Sequence, residues 1–155
     1  MKLAKKIKQP KNAAVSAQQM SAELVWKQTF AADNNARFND VQKFIDSEVI
    51  RLMVPYTPMR NGLLMKVAVL GTKIGSGQIF YSSPYARYQY YGKVMVSSVT
   101  GSSWARKGEK KRLTERQLKY DKSRHPKAQR MWFEAMKADK KEQLLRGAAA
   151  IAKKK

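Results

Sequence analysis

The chain of 155 residues contains no cysteine and one histidine, His125. Without thiols there is no disulfide framework, no cysteine-ligated zinc and no thiol nucleophile. One imidazole does not by itself supply the histidine clusters of common catalytic metal sites. Acids are scarce: Asp and Glu number 11 against 32 Lys and Arg, for a formal net charge of +21. No apolar run approaches the ~20 residues that span a bilayer, which excludes a transmembrane protein. The segment KLAKKIKQ near the start is too short and too weakly apolar for a membrane-surface anchor. No apolar stretch follows it, so it reads as a basic arm rather than a secretion signal, with folding in a cytoplasm.

What is present is a hydrophobic fraction of 43%, enough for a core. The charge is uneven. Residues 1–12 hold five lysines and no acid; residues 13–103 hold nine basic and five acidic side chains; residues 104–155 hold eighteen basic and six acidic. The middle therefore reads as the packed body and the ends as appendages that meet something anionic. Nucleic-acid phosphates and acidic protein surfaces both suit them.

Within residues 36–53, Phe38, Val41, Ile45, Val49 and Leu52 recur at spacings of three and four, the stripe of an amphipathic helix. Asp40, Lys43, Asp46 and Arg51 fall largely on the other side. The helix either extends back through 21–30 or breaks at the capping chemistry of residues 32–36. Pro55 and Pro58 end it, in a turn over 55–62. LLMKVAVL at 63–70 and QIFYS at 78–82 read as two strands joined through GTKIGSG, a hairpin. Residues 83–92 give a short helix in which Tyr85 and Tyr88 share a face, and residues 93–100 a further strand. Residues 101–124 are polar and poorly periodic, a long basic loop. Pro126 opens a C-terminal helix over 126–151 whose face carries Ala128, Met131, Trp132 and Ala135, with a fraying tail. The chain thus divides into a basic arm, 1–20, and one α+β domain, 21–155. In that domain a small antiparallel sheet packs against a long N-terminal helix and a C-terminal helix, with basic extended arms. Phe38, Val41, Ile45, Leu52 and Trp132 are the expected core. The arm and the long loop, charged and without apolar periodicity, are expected to be mobile in the free subunit.

Catalytic chemistry finds no constellation. GTKIGSG lacks the Gly-Lys-Ser/Thr ending of a phosphate loop. Asp46 and Glu48, two apart on a helix, point to different sides and make no acid/base dyad. His125, before Pro126, suits packing against or capping the last helix. No enzyme and no cofactor is expected. Tyr85, Tyr88, Tyr90 and Tyr91, interleaved with Arg87, suit either base stacking or core and interface contacts, the second being favoured because tyrosine tolerates half-wet contacts.

Three segments in order carry a resemblance: the turn Pro58 to Gly62, PYARYQYYG from Pro84 to Gly92, and HPKAQRMWFE from His125 to Glu134. Across residues 36–148 the chain resembles the minor capsid or neck proteins of long-tailed bacteriophages. It departs in Met59-Arg60-Asn61, where many relatives carry Asp-Thr, but Pro58 and Gly62 keep the bend. The resemblance implies a structural virion protein at the head–tail junction, similar to tail-completion or terminator proteins, made in the host cytoplasm. It implies a homo-oligomeric ring, six-fold with twelve-fold as the alternative, docked to other neck and tail proteins, with genomic DNA passing through the lumen. The expected interface comprises Tyr85, Arg87, Tyr88, Tyr90, Tyr91, Lys107, Lys110, Lys111 and Arg112. The basic arms are expected chiefly to dock on acidic surfaces of neighbouring neck proteins. The alternative is a small basic nucleic-acid-binding protein, although no helix-turn-helix, RNA-recognition or KH signature is present.

Overall fold

The computed structural model describes residues 6–153. The fold is α+β, and the described residues hold nine segments of regular structure in the order β1 (Ala13–Ala17), β2 (Met20–Leu24), α1 (Phe30–Met53), a 3₁₀ turn (Val54–Tyr56), α2 (Leu63–Gly71), α3 (Ala86–Tyr91), β3 (Lys93–Ser97), β4 (Lys111–Gln117) and α4 (Trp132–Lys153). The strands form two separate antiparallel pairs, β1–β2 and β3–β4. Residues 1–5 of the expected basic arm lie outside the described residues. The rest of that arm carries β1 and runs into the first hairpin.

Helix α1 begins at Phe30, so residues 32–36 neither break it nor lie in its middle; they build its first turns. Thr29 flanks the start, its hydroxyl donating to Asp33 Oδ2 at 2.9 Å. Asp33 sits where the helix dipole favours a carboxylate. Asn34 Nδ2 donates to Phe30 O at 2.7 Å. Asn35 exchanges two bonds of 2.9 Å with the backbone of Ile7, and Gln9 accepts from Ala31 N at 3.0 Å. These contacts moor the segment before β1 to the head of α1.

The core lies between α1 and α4. Val49, Leu52, Met53, Tyr56, Trp132 and Met136 form its buried centre, with Ile45, Leu64, Ile79, Tyr81, Tyr90, Ala135 and Leu144 packed around it. Trp132, expected in the core, is 1% exposed, and Leu52 is buried as well. Val41 and Ile45 are half-buried. Phe38 is a correction: it is 60% exposed. The contacts run from the 3₁₀ turn, where Tyr56 bonds Asp139, to Phe44 of α1 against Gly147 of α4, and Phe38 precedes Phe44 in α1, outside the buried cluster. A Cβ built on Gly147 would stand 2.5 Å from the Phe44 ring, so the absent side chain sets how closely the helices approach. The tail expected to fray stays helical to Lys153, with Ala148 buried.

Three further expectations are corrected. Residues 63–70 are helical, and 78–82 is extended without a ladder, so the hairpin expected over 63–82 does not form. A short apolar run does not distinguish strand from helix by periodicity alone. Leu, Met, Lys and Ala are good helix formers, and Asn61 Oδ1 accepts Leu63 N at 3.2 Å at the helix start. The extended segment is instead held by the end of α2: Phe80 N donates to Thr72 Oγ1 at 3.0 Å, and Phe80 O crosses so near Gly71 that a Cβ there would meet it at 2.7 Å. Residues 101–124 are not a structureless loop, since β4 lies within them and pairs with β3. The last helix starts at Trp132 rather than 126. The amides before it are spent elsewhere: Gln129 N donates to Tyr56 O at 3.2 Å and Met131 N to Tyr90 O at 2.8 Å, and Met131 takes a left-handed φ of 49°.

Asp46 is also corrected, from the solvent side of α1 to a buried position. Its Oδ2 accepts Gly75 N at 2.7 Å and Gly77 N at 3.1 Å, and its Oδ1 accepts Gln42 Nε2 at 2.7 Å. The glycine turn read as the tip of a strand hairpin is thereby a loop fastened to α1. Both glycines have positive φ, 91° and 70°, conformations that side chains rarely adopt.

Candidate assembly interface

The three segments that carry the resemblance are far apart in the chain and adjacent in the fold. His125 Nδ1 lies 2.7 Å from Thr57 O, beside Pro58. Gln129 bonds the backbone of Tyr56, and Met131 that of Tyr90. Glu134 receives a short hydrogen bond from the Tyr90 hydroxyl. His125 thus ties the last segment to the first turn; it neither caps nor opens the last helix, which starts only at Trp132, a correction to the role expected of it. An open groove of about 660 Å³ lies between the first two segments and residues 119–121, with Pro58, Asn61, Tyr85, Gln89 and Tyr120 among its walls.

The tyrosines divide by position. Helix α3 is six residues long, so only one side can face the core. Tyr90 takes that side, edge-on to Trp132 at 4.8 Å and to Tyr91 at 5.4 Å. Burial, and then Glu134, push its hydroxyl well above the ordinary tyrosine range, so it remains a donor. Tyr81 also packs edge-on against Trp132 and accepts its indole N–H at 3.0 Å. Tyr88 is half-buried, while Tyr85, Arg87 and Tyr91 are exposed. Tyr90 is therefore a core residue, and Tyr85, Arg87 and Tyr91 are the members of this group open to a partner.

The basic residues form a second locus. Lys107 and Lys110 lie in the connection between β3 and β4, and Lys111 and Arg112 open β4 opposite Ser97 and Val96. The near end of this hairpin pairs Lys93 with Gln117, next to α3. The five residues of β3 place the basic tip about 17 Å from that end. The structure therefore does not gather tyrosines and basic residues into one patch.

The tip is built around Ser97, which is fully buried. Its hydroxyl accepts Val99 N at 3.1 Å and Thr100 N at 2.8 Å and donates a short bond to Glu109. Glu109 accepts Arg106 N at 2.9 Å. The Ser97 hydroxyl, and then the Arg106 amide, hold the Glu109 carboxyl below the usual carboxylate range. The one acid of the tip is thus committed to shaping it. Lys107, Lys110 and Arg112 remain exposed, while Lys111 Nζ donates to Ser103 O at 2.7 Å.

Trp104 sits in the same connection, 69% exposed, and was not among the expected interface residues. Its signal was a lone tryptophan in a basic, non-periodic stretch. Among the described residues no group of three or more His, Cys, Asp or Glu side chains could hold a metal ion, and no helix is long and apolar enough to cross a membrane. No family model, curated protein or solved structure matches the chain.

Proposed function

We propose that this chain is a structural subunit of the neck of a long-tailed bacteriophage. In this reading it forms a ring that completes the tail end and joins it to the head connector. It acts by assembly, not turnover. The observation that carries the reading is the meeting of the three resembling segments, which the bonds from His125 to Thr57, Gln129 to Tyr56 and Met131 to Tyr90 bring together across forty residues of sequence or more. A resemblance that also forms one structural unit is less readily produced by chance than three unconnected matches. The basic tip of the β3–β4 hairpin supplies the reach. A ring repeats it around the axis, so weak docking contacts to acidic surfaces of the adjacent layer are multiplied.

The test is made in the phage. Charge reversal at Lys107, Lys110, Lys111 and Arg112 together should leave a folded subunit and give full heads and finished tails that fail to join. Normal particles that lose or cannot eject DNA would place the charge at the lumen. A protein absent from purified virions would end the neck reading.

Exposed Trp104 among Arg106, Lys107 and Lys110 favours a second reading, nucleic-acid binding, since an aromatic face beside cations suits base stacking. That reading requires an oligonucleotide shift at physiological salt with steep salt dependence, lost on Trp104→Ala.

A further inference from the structure

Two surfaces of the chain are apolar, uncovered and of complementary kind. The first is the β1–β2 hairpin, every residue of which is exposed. Its register pairs Ala13 with Leu24, Val15 with Ala22 and Ala17 with Met20. Directly opposed residues share a face, so Val15, Met20 and Leu24 stand together among alanines. Ala14, Ser16, Ser21 and Glu23 take the other face. The hairpin is therefore amphipathic, and its apolar face carries no charge. A two-stranded hairpin is marginal in water unless its hydrophobic face packs, for instance against a helix.

The second surface is α2. Apart from Lys66 its side chains are all apolar, and only Ala68 is fully buried. A helix apolar all round belongs in an interior. Yet Leu63, Lys66, Val69 and Leu70, one helical face, are exposed, Leu70 to 84%. Phe80, packed beside Gly71, widens the same patch.

We infer that the apolar face of the β1–β2 hairpin of one copy docks on the outer face of α2 of a second copy. The hairpin lacks a helix and the chain carries an uncovered apolar helix. Charge does not oppose this occupant. Two copies of a chain of net charge +21 repel wherever basic surfaces meet. Residues 13–25 contain only Glu23 as a charge, and residues 63–72 only Lys66, so a contact here brings almost no like charge together. The hairpin is closed at its base by Trp26 N on Asn12 and moored at the head of α1 through Gln9 and Asn35, whereas α2 follows the other end of that helix. A contact between different surfaces is heterologous and propagates head to tail, closing into a ring when the rotation allows. This inference rests on the ring reading and names the contact that would build the ring.

The test uses the full chain and two variants, Leu70→Glu and Met20→Glu, at sites 84% and 82% exposed. Unchanged thermal melts establish that both fold. In sedimentation velocity the wild type should run as an oligomer. Each variant should require at least ~30-fold higher concentration to associate, the loss expected for a central interface residue. Mixing the two variants should give dimers and nothing larger, since each retains one intact surface and the remaining two are both spoiled. A wild type that is monomeric at every concentration overturns the inference. So does a Met20→Glu variant that associates with itself, which would mean α2 against α2, or an oligomer that neither substitution disturbs. Dimers from the mixture, with the protein absent from virions, would keep this contact and remove the neck reading.

Discussion

Trp132 and Trp104 are the same residue type at opposite extremes of the molecule. Trp132 lies at the start of α4, 1% exposed, with Tyr90 and Tyr81 edge-on to its ring and its indole N–H on the Tyr81 hydroxyl. Trp104 lies in the β3–β4 connection, where only its backbone is tied, through Trp104 N to Ser102 Oγ at 3.1 Å. The body is held by side-chain volume, and the tip by backbone hydrogen bonds around Ser97 and Glu109. Volume packing is unforgiving of sequence change. A tip held by its backbone leaves its side chains free to meet a partner, and most of the basic side chains there are free.

The contrast breaks first, and most heavily, at the tryptophans. Trp132→Ala should cost about 3–5 kcal/mol in urea denaturation, while Trp104→Ala should stay within about 0.5 kcal/mol. Equal costs would mean that the tip is part of the core. Asp46→Ala comes next, at about 1–3 kcal/mol, because two half-buried amides lose their acceptor. Faster hydrogen exchange confined to Gly75 and Gly77 and their neighbours would locate the damage. Asp46→Asn, which keeps an acceptor oxygen, should lose less.

Gly147→Val should cost about 1–3 kcal/mol by forcing the Phe44 ring away. A stabilised variant would show that helix propensity outweighs the contact between α1 and α4. The smallest effect is a titration. Lys127 Nζ lies 2.7 Å from Asp139 Oδ2, and the Tyr56 hydroxyl donates to the same oxygen. Lys127, and then Tyr56, bring the Asp139 carboxyl down to about 2. A carboxyl lowered on folding contributes stability that is complete above its ordinary value, near 3.8, and is lost as pH falls through about 2. The cluster should therefore be indifferent to pH from neutrality to about 4 and weaken below it. NMR titration of Lys127→Met should show the Asp139 value moving back toward the ordinary range.

Legibility in the sequence followed the length and regularity of each pattern. The stripe through Ile45, Val49 and Leu52 and the aromatic start of α4 were legible because a long helix repeats its spacing many times. Helix α2 reads as a strand in the sequence because a run of eight residues, apolar but for Lys66, fits either period. The β1–β2 hairpin was missed because its two-residue turn is Gln18-Gln19, without the Gly or Asn that marks such turns, and because alanines blur its alternation. Strand β4 was hidden by its composition, KRLTERQ, in which burial contributes little. At the candidate interface, the basic residues were legible as a cluster. The division of the tyrosines was not, because which side of a six-residue helix meets Trp132 is set by a segment forty residues away.

By itself the sequence determined the α+β class, the two long helices, the absence of thiol chemistry and the placement of positive charge toward the ends. Each of these is a property of composition or of local periodicity, written residue by residue. Only the tertiary structure decided that Asp46 fastens the glycine loop, that Gly147 admits Phe44, that Tyr90 is core while Tyr85 and Tyr91 are free, and that α2 and the first hairpin stand uncovered. Those outcomes depend on contacts between residues distant in the chain, where excluded volume and the need to pair every buried polar group select one arrangement among many that the local pattern allows.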